Sequence, residues 1–499
     1  MDTIGALFHG FTIALTPGNL FAALMGCFLG TLTGVLPGLG ATATLALLLP
    51  LTIGMEMVTA LIMMSGIYYG AMYGGSTTSI LVNIPGETAA VITCLDGYQM
   101  ARQGRAGPAL GMSAFGSFIG GTVSVVAVML ISPFLAEAAL KFGPPEMFAL
   151  MLFAFTCIGG LTGKSMAQGL LMACIGLLLG TIGTDAIHGI ERFTFGILYL
   201  QDGIGLVPLA MGIFGLGEIL YNIEKREEQG SILETPKSLL PTFQDWKDSA
   251  MPIVRGSFLG FGVGIIPGGM PSVASLLSYA LEKRVSKRPE TFGHGAIEGV
   301  AGPETANNAA SVGGFVPLLT LGIPTNGVLA LMLAAMMLHG VTPGPILLIK
   351  WPDVFWGVIA SMYIGNIILI VLNLPMIGLF VQLLKVPYGI LSPLITLFVL
   401  LGAYALNNSV SDVLATFVFG LMGYIMKRFG MEPAPLILSF VLGPMLENNL
   451  SKALIMSPTG NLLYLFSRPI SGTMLSLAIL VLLYPLVYWA WRRWRKPQR

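Results

Sequence analysis

The sequence predicts an all-α polytopic membrane protein with roughly 11–13 transmembrane or half-spanning helices, in two inverted repeats that contain broken helices or re-entrant segments. Two observations support this fold class. The chain of 499 residues is 55% hydrophobic and 10% charged, with a mean hydropathy of +0.83, whereas a soluble domain carries about 25% charged residues. In addition, two related Pro-Gly breaks interrupt apolar stretches, at residues 30–40 and 260–270.

Apolar runs of the length that spans a bilayer, about 20 residues, recur along the whole chain. They include residues 18–36, 109–133, 145–163, 166–183, 203–221, 356–374 and 472–491. One hydrophilic stretch of mixed charge separates two apolar halves. The predicted division is therefore a first membrane repeat at 1–221, a cytoplasmic linker at 222–250, a second repeat at 251–468, and a terminal helix with a basic tail at 469–499.

The first pair of breaks reads GTLTGVLPGLG at 30–40 and GFGVGIIPGGM at 260–270. The two segments superimpose at an offset of 230 residues, which takes Gly30 to Gly260. Proline removes a backbone donor and glycine lets the chain turn, so we predict helix breaks at Pro37 and Pro267. In lipid, such a break survives only where buried protein or a water-filled cavity satisfies the freed backbone groups.

A second pair of polar, Gly/Pro-rich stretches follows, at residues 68–90 and 301–328. Their glycine and proline pairs match at an offset of 239 residues, Gly74-Gly75 with Gly313-Gly314 and Ile84-Pro85 with Ile323-Pro324. We predict two further breaks, at Pro85 and Pro324. Breaks in corresponding positions of two halves are typical of the substrate site of a secondary transporter.

The broken segments carry hydroxyl and amide side chains and no Lys or Arg. An anion there is held by amide N–H groups, hydroxyls and the positive ends of half-helices. The residues predicted to bind a substrate carboxylate are Gly38, Gly40, Ser76, Thr77, Thr78, Gly268, Gly269, Asn307 and Asn308. Those predicted to serve a coupling ion, sodium or a proton, are Asn83, Glu87, Glu304, Thr325 and Asn326.

Simpler interpretations of the same residues stay open. The glycines also suit close helix packing, and the Ser, Thr and Asn side chains suit hydrogen bonds between helices. Glu87 and Glu304 each follow a proline, and each could stand at a helix start and compensate the helix dipole.

The basic residues predict the orientation of the chain. No Lys or Arg precedes Arg102, whereas Lys247, Arg255 and Lys283 flank the second break. Because cytoplasmic loops are enriched in Lys and Arg, the flanks of the second break are expected inside and those of the first outside. The tail at 491–499, with five basic residues, is expected to be cytoplasmic.

The sequence offers little for catalysis or metal binding. It has no P-loop, no HExxH and no GxSxG motif, and its four cysteines form no CxxC pair. We therefore expect no enzyme activity, no cofactor and no metal site, and the net charge of +1 gives no support for a nucleic-acid partner. A membrane-embedded enzyme, a passive channel and a structural membrane subunit are the competing classes.

The motifs, taken in order, resemble a known family. GxLPGLG, YGGSTTSILVNIPGE, GIIPGGM, GHGAIEGVAGPETANNAA and LTLGIPTNGV are similar to the large membrane subunit of the tripartite tricarboxylate transporters, and the resemblance covers essentially the whole chain. It implies a multi-pass protein of the bacterial inner membrane that imports di- and tricarboxylates such as citrate by alternating access, driven by an ion gradient.

The resemblance also implies partners. They are a small membrane subunit and a periplasmic solute-binding protein, in addition to the carboxylate substrate and the lipid bilayer. A scaffold that forms a homodimer around an elevator-like movement is a further expectation. The alternative function is a passive carboxylate channel or a transporter of another small organic anion.

Overall fold

The computed structural model describes residues 3–36, 39–161, 166–185, 189–225, 238–383, 388–458 and 460–495. These residues are mostly helical. The α-helices are α1 Thr3–Ala14, α2 Pro17–Val35, α3 Gly40–Leu48, α4 Met57–Val82, α5 Thr93–Met100, α6 Ala106–Ala139, α7 Pro144–Leu161, α8 Met166–Gly180, α9 Leu198–Gln201, α10 Leu206–Ala210, α11 Gly217–Lys225, α12 Phe243–Ile265, α13 Pro271–Val285, α14 Glu298–Gly313, α15 Phe315–Leu321, α16 Gly327–Leu338, α17 Leu347–Lys350, α18 Pro352–Asn373, α19 Ile377–Leu383, α20 Tyr388–Asn407, α21 Val410–Arg428, α22 Ala434–Met456, α23 Tyr464–Ser467 and α24 Pro469–Arg495.

Shorter elements join these helices. Three 3-10 turns cover Leu49–Thr52, Thr88–Ala90 and Pro289–Thr291, and two π-helical segments cover Ala101–Arg105 and Met211–Leu216. Two short strands, β1 Gly183–Thr184 and β2 Glu191–Arg192, pair antiparallel, with Gly183 opposite Arg192.

Within the described ranges, seven helical stretches are long and apolar enough to cross a bilayer. They are Pro17–Val35, Met57–Val82, Thr93–Ala139, Leu206–Glu224, Pro352–Asn373, Gly389–Asn407 and Val410–Arg428. Six shorter apolar helices accompany them. The predicted fold class, an all-α polytopic membrane protein, is confirmed, whereas the inverted relation of the two halves stays a prediction.

Helices end where the first pair of breaks was predicted. α2 ends at Val35 and α3 begins at Gly40; Pro37 and Gly38 lie outside the described residues. In the second half, α12 ends at Ile265 and α13 begins at Pro271. Pro267 lies in the connection between them, followed by Gly268 with φ +81°, a left-handed conformation that glycine adopts without steric cost.

The second pair of breaks shows the same backbone device in both halves. Asn83, the residue after α4, has φ 61°, and Gly322, the residue after α15, has φ 70°. A left-handed residue just past the last turn is the usual way to stop a helix, and glycine and asparagine are the residues that accept it. Asn83 and Gly322 lie 239 residues apart, the offset of the sequence match, and each is followed within two residues by its proline, Pro85 or Pro324.

Glycine contacts repeat at the same offsets. A Cβ atom at Gly30 of α2 would overlap the backbone of Ile67 of α4, and one at Gly260 of α12 would overlap the backbone of Ala306 of α14. One turn further, Gly34 meets Ala71, and Gly264 likewise meets Ala310. Each half therefore packs its broken helix against the next helix through bare backbone, as small residues allow within membranes.

The described chain forms two compact units. The first comprises Met1–Glu137, Gly205–Ile265 and Gly269–Gly430, and it holds most of the predicted site residues. The second comprises Ala138–Ile204, Ile266–Gly268 and Met431–Arg499. Within the second unit, Arg468 pairs with the buried Glu146 at 2.5 Å, and Arg192 pairs with Glu447 at 2.6 Å. The linear division into two repeats, a linker and a tail stays a prediction.

A loop of the first half and a helix of the second meet through charge. Arg105, after α5, pairs with the buried Asp245 in the first turn of α12 at 2.5 Å. The start of α12 flanks the second break and was expected on the cytoplasmic side, and Arg102 and Arg105 predict the same side for the segment after α5. The ion pair is consistent with that common side.

Candidate functional site

A buried carboxylate lies where the two halves meet in the first unit. Glu304 lies within α14, which runs without interruption from Glu298 through Pro303, so Glu304 does not stand at a helix start. Its side chain is fully buried. Ser76 of α4 donates a hydrogen bond to its Oε2 at 2.6 Å, and Thr93 of α5 donates one to its Oε1.

Two asparagines of α14 extend this polar cluster. Asn307 donates from Nδ2 to Glu304 Oε2 at 3.1 Å and accepts on Oδ1 from Asn308 Nδ2 at 2.6 Å. Asn308 also donates to Ser117 Oγ of α6 at 2.8 Å. All of these side chains are buried. Glu304, Ser76, Asn307 and Asn308 were predicted site residues, and the structure brings them together.

The charge of Glu304 is not balanced by an ion pair. In the described ranges, no Lys, Arg or His side chain forms a salt bridge with it, and its hydrogen-bond donors are neutral hydroxyls and an amide. A charge removed from water is costly unless it is paired. An ionisable side chain that bears such a cost inside a membrane protein is a functional candidate by default.

A small cavity lies beside this cluster. Its lining comprises Tyr73, Ser76, Thr77, Leu110, Ser113, Ala114, Asn373 and Ile377, from α4, α6, α18 and α19, and every one of these residues is buried. Ser113 also faces the carboxylate of Glu304. The Tyr73 hydroxyl has no hydrogen-bond partner among the described residues.

The cavity is small. Its volume is about 10 Å³, on the scale on which one water molecule needs roughly 10–15 Å³. It therefore holds one water or one monatomic ion, and it does not hold a carboxylate molecule in this conformation.

Glu87 lies in a different environment from Glu304. Its Oε2 accepts a hydrogen bond from the Ala41 N–H at the start of α3 at 2.6 Å. Its Oε1 accepts from the Thr88 N–H and hydroxyl at 3.1 Å and 3.0 Å. Glu87 thus caps the start of a helix, as the dipole interpretation had it, while Glu304 does not.

The start of α3 had been predicted to hold a substrate carboxylate at Gly38 and Gly40. The carboxylate of Glu87 occupies this helix start. It lies so close to Gly40 that a Cβ atom on that residue would be 2.8 Å from Glu87 Oε2. A substrate at this helix start would have to displace Glu87. In the second half, Gly268 and Gly269 are buried and precede α13. Substrate binding at these glycines stays a prediction.

Three polar residues predicted to serve a coupling ion lie at the breaks. Asn326 caps α16, since its Oδ1 accepts from the Leu329 N–H at 3.1 Å, and its Nδ2 donates to the Tyr68 hydroxyl at 3.0 Å. Thr325 lies next to it, with 3.5 Å between Asn326 Nδ2 and Thr325 Oγ1. Asn83, the left-handed residue after α4, is exposed.

Thr77 and Thr78 are neighbours in the sequence, but their side chains lie in different environments. Thr77 lines the cavity. Thr78 is fully buried and its hydroxyl donates to the Gly75 carbonyl of its own helix at 3.2 Å. Of the run Ser76, Thr77 and Thr78, the first two therefore belong to the polar cluster and its cavity.

A second buried carboxylate, Asp96 of α5, was not predicted from the sequence. Its Oδ1 accepts from the N–H groups of Gly293, Gly295 and Ala296 at 2.8–2.9 Å, and its Oδ2 accepts from the Tyr279 hydroxyl at 2.8 Å. Asp96 joins the first half to the loop that precedes α14. The signal available in the sequence was a lone acid in an apolar stretch, together with the glycine-rich run at 293–295.

Several other members of the cluster also went unidentified. Thr93, Ser113 and Ser117 carry it on α5 and α6, and Tyr73 and Asn373 line the cavity. Ser113 and Ser117 are four residues apart and share one face of a helix, which is a signal the sequence contained. Nothing in the sequence placed Asn373 near them.

The chain matches the tripartite tricarboxylate transporter TctA family over residues 20–438. It belongs to this family. An uncharacterized 52.8 kDa protein in the TAR-I ttuC' 3' region of Agrobacterium vitis is 49% identical over 479 residues, which are 96% of this chain and 95% of that relative. No solved structure matches the chain.

Two further relatives cover part of the chain. An uncharacterized protein in the TAR-II ttuC' 3' region of Agrobacterium vitis is 50% identical over 225 residues, 45% of this chain and 93% of the relative. An uncharacterized protein of Methanocaldococcus jannaschii is 21% identical over 273 residues, 54% of this chain and 62% of the relative.

Family membership confirms the resemblance carried by the motifs. As a TctA-family protein whose described residues include seven apolar helices of spanning length, the chain is a multi-pass membrane protein with a role in tricarboxylate transport. The matched range contains all of the predicted site residues, from Gly38 to Asn326.

Proposed function

We propose that this TctA-family chain imports di- and tricarboxylates, citrate among them, across the bacterial inner membrane by ion-coupled secondary transport. Substrate is delivered by a periplasmic binding protein, and a small membrane subunit completes the complex. The chain works by alternating access between the two sides of the membrane, and its C-terminus is cytoplasmic.

One observation carries the proposal beyond the family. The buried carboxylate of Glu304 is held by Ser76 and Thr93 of the first half and by Asn307 of the second. A scaffold protein has no need of an uncompensated charge at this place. In a secondary transporter, by contrast, polar groups of two repeats meet at a central site that binds substrate and ion.

The substrate carboxylates are expected on neutral donors. Buried amide and hydroxyl donors hold an anion well where water is excluded. The predicted donors in the second half are the backbone of Gly268 and Gly269 and the side chains of Asn307 and Asn308, whose amides have to leave Glu304 and Ser117 before they hold an anion. In the first half, the start of α3 becomes available when Glu87 leaves Ala41.

The proposal is tested by uptake of a panel of labelled carboxylates into cells that express this chain with its partners. Sodium and proton gradients are imposed separately. We expect uptake against a concentration gradient that collapses with one of the two ions. Uptake that only equilibrates would instead indicate a passive channel, and no uptake with both partners present would contradict the substrate class.

A matched pair of variants ties transport to the site. Glu304→Gln keeps the shape of the side chain and removes its charge, and we expect it to reduce concentrative uptake at least tenfold. Glu298→Gln is the control, because it changes an acid of the same helix that lies at the start of α14, 3.6 Å from Arg288, and does not contact the cluster. Equal uptake by the two variants would remove Glu304 from the mechanism.

A further inference from the structure

The cavity beside Glu304 is lined by oxygen atoms that accept hydrogen bonds. Ser76 gives its only hydroxyl proton to Glu304 Oε2 at 2.6 Å, so towards the cavity its oxygen can only accept. Asn373 donates one of its two Nδ2 hydrogens to the Leu369 carbonyl at 2.9 Å, and its Oδ1 is an acceptor. The Tyr73 hydroxyl has no partner in the described part of the chain and is 3% exposed.

When ionised, Glu304 makes the surroundings of the cavity negative. Glu304 is one hydrogen bond away through Ser76, and Ser113 touches both the cavity and the carboxylate. The lining includes no Lys, Arg or His. A second anion here would face the charge of Glu304 at short range and low dielectric, so the surroundings favour a cation.

Size and ligand type narrow the choice of cation. Neutral hydroxyl and amide oxygens suit a hard cation. The cavity has room for about one water molecule, so a cation that binds there has lost its hydration shell. Tightly held divalent ions bind directly to carboxylates, whereas no carboxylate among the described residues lines this cavity, and Glu304 is hydrogen-bonded to its wall through Ser76. No group of three His, Cys, Asp or Glu side chains in the described ranges could hold a metal ion.

We propose that this cavity binds the coupling ion, a small alkali cation of the sodium class. Tyr73, Ser76, Ser113 and Asn373 supply oxygen ligands, and Glu304 balances the charge. The proposal rests on the proposed ion-coupled transport and specifies it further, since it favours sodium over a proton. It also reassigns Ser76 from the substrate to the ion, and Thr77 lines the same cavity.

The test measures sodium binding in the absence of substrate, so its result does not depend on transport. The full-length chain is purified and its thermal midpoint is followed as NaCl replaces KCl at constant ionic strength. A ligand that binds the folded state raises the midpoint with its concentration. We expect sodium to raise the midpoint with a saturating dependence, and choline chloride to have no such effect.

Variants locate the site. Tyr73→Phe removes one hydroxyl from the cavity, and Ser113→Ala removes another, and we expect each to raise the half-saturating sodium concentration about tenfold. Tyr69→Phe is the matched control, since Tyr69 lies on the same helix, is 3% exposed, and also has an unpartnered hydroxyl, but does not line the cavity. It should respond to sodium as the unaltered protein does.

Glu304→Gln gives a second, opposite signature. Without the buried charge, the protein should melt at a higher temperature in the absence of sodium and should no longer respond to sodium. A sodium response that survives in Tyr73→Phe, Ser113→Ala and Glu304→Gln would overturn the proposal. The absence of any sodium-specific shift of the thermal midpoint in the unaltered protein would also overturn it. If carboxylate uptake nevertheless follows an ion gradient, the proposed transport function holds and only the sodium site is refuted.

Discussion

Replacing Gly260 by alanine tests how closely the broken helix of the second half must approach its neighbour. A Cβ at Gly260 would lie 2.7 Å from the Cα of Ala306 and would overlap that residue's carbonyl oxygen. Carbon atoms in contact stand about 3.5–4.0 Å apart, so α12 and α14 must separate by about 1 Å. Overpacking of this kind costs about 1–3 kcal/mol.

The same helix supplies the control. Gly262 is exposed and a Cβ there meets nothing within 4 Å, so Gly262→Ala adds only helix propensity, which stabilises by up to about 1 kcal/mol. The two variants make the same chemical change two residues apart in one helix. Their thermal midpoints are compared in the same detergent, and we expect Gly260→Ala to fall below the unaltered protein and Gly262→Ala to equal or exceed it.

Transport provides a second measurement for the same pair. α14 carries Glu304, so a shift of about 1 Å between α12 and α14 moves the carboxylate relative to Ser76, and hydrogen bonds weaken steeply beyond about 3.2 Å. Uptake should therefore decline in Gly260→Ala and persist in Gly262→Ala. If Gly260→Ala melts and transports like Gly262→Ala, the close backbone contact is not a requirement of the fold.

Three further substitutions follow from the buried charges. Asp96→Ala leaves three backbone N–H groups without their acceptor, which costs about 1–3 kcal/mol for each group that water cannot reach. The thermal midpoint should therefore fall sharply in Asp96→Ala and less in Asp96→Asn. A midpoint equal to that of the unaltered protein would contradict the role of Asp96 in joining α5 to the loop before α14. Arg255→Ala leaves the buried Glu282 unpaired, which costs about 3–5 kcal/mol. Adding Glu282→Gln should recover part of that lost stability, measured as the thermal midpoint. A double variant no more stable than Arg255→Ala would refute the pairing. Glu87→Gln weakens a helix-start interaction of about 0.3–1 kcal/mol. If the substrate competes with Glu87 for the start of α3, the substrate concentration that gives half-maximal uptake should decrease in this variant. An unchanged concentration would show that the substrate does not bind at that helix start.

Much of the architecture could be predicted because it depends on local chemistry. Pro85, Pro267 and Pro324 each lie in a gap between helices, as their missing backbone donor predicts. The offset of 239 residues also reappears in the structure, in the pair Asn83 and Gly322. Composition alone was enough for the membrane class, since the bilayer demands apolar side chains over whole helices.

The site could be predicted only in part, because contacts between distant segments decide it. Glu87 and Glu304 looked alike in the sequence, each just after a proline. One caps α3 from 46 residues away through Ala41, whereas the other is buried within an unbroken helix. Asn373 was missed for the same reason, since it lies beside Ser76 only after α18 packs in place.

The left-handed caps at Asn83 and Gly322 bear on how the two halves can differ. At each of these positions the backbone restricts the choice of residue, and the side chain contributes little, since one of the two has none. The halves therefore share a scaffold of backbone angles on which their chemistry diverges freely: after the break, the first half carries the acid Glu87 and the second carries the neutral Asn326 at the matching position. Two halves that match in this way can differ in their interior, as the separation of a cation from an anion requires, without altering the bends that they share.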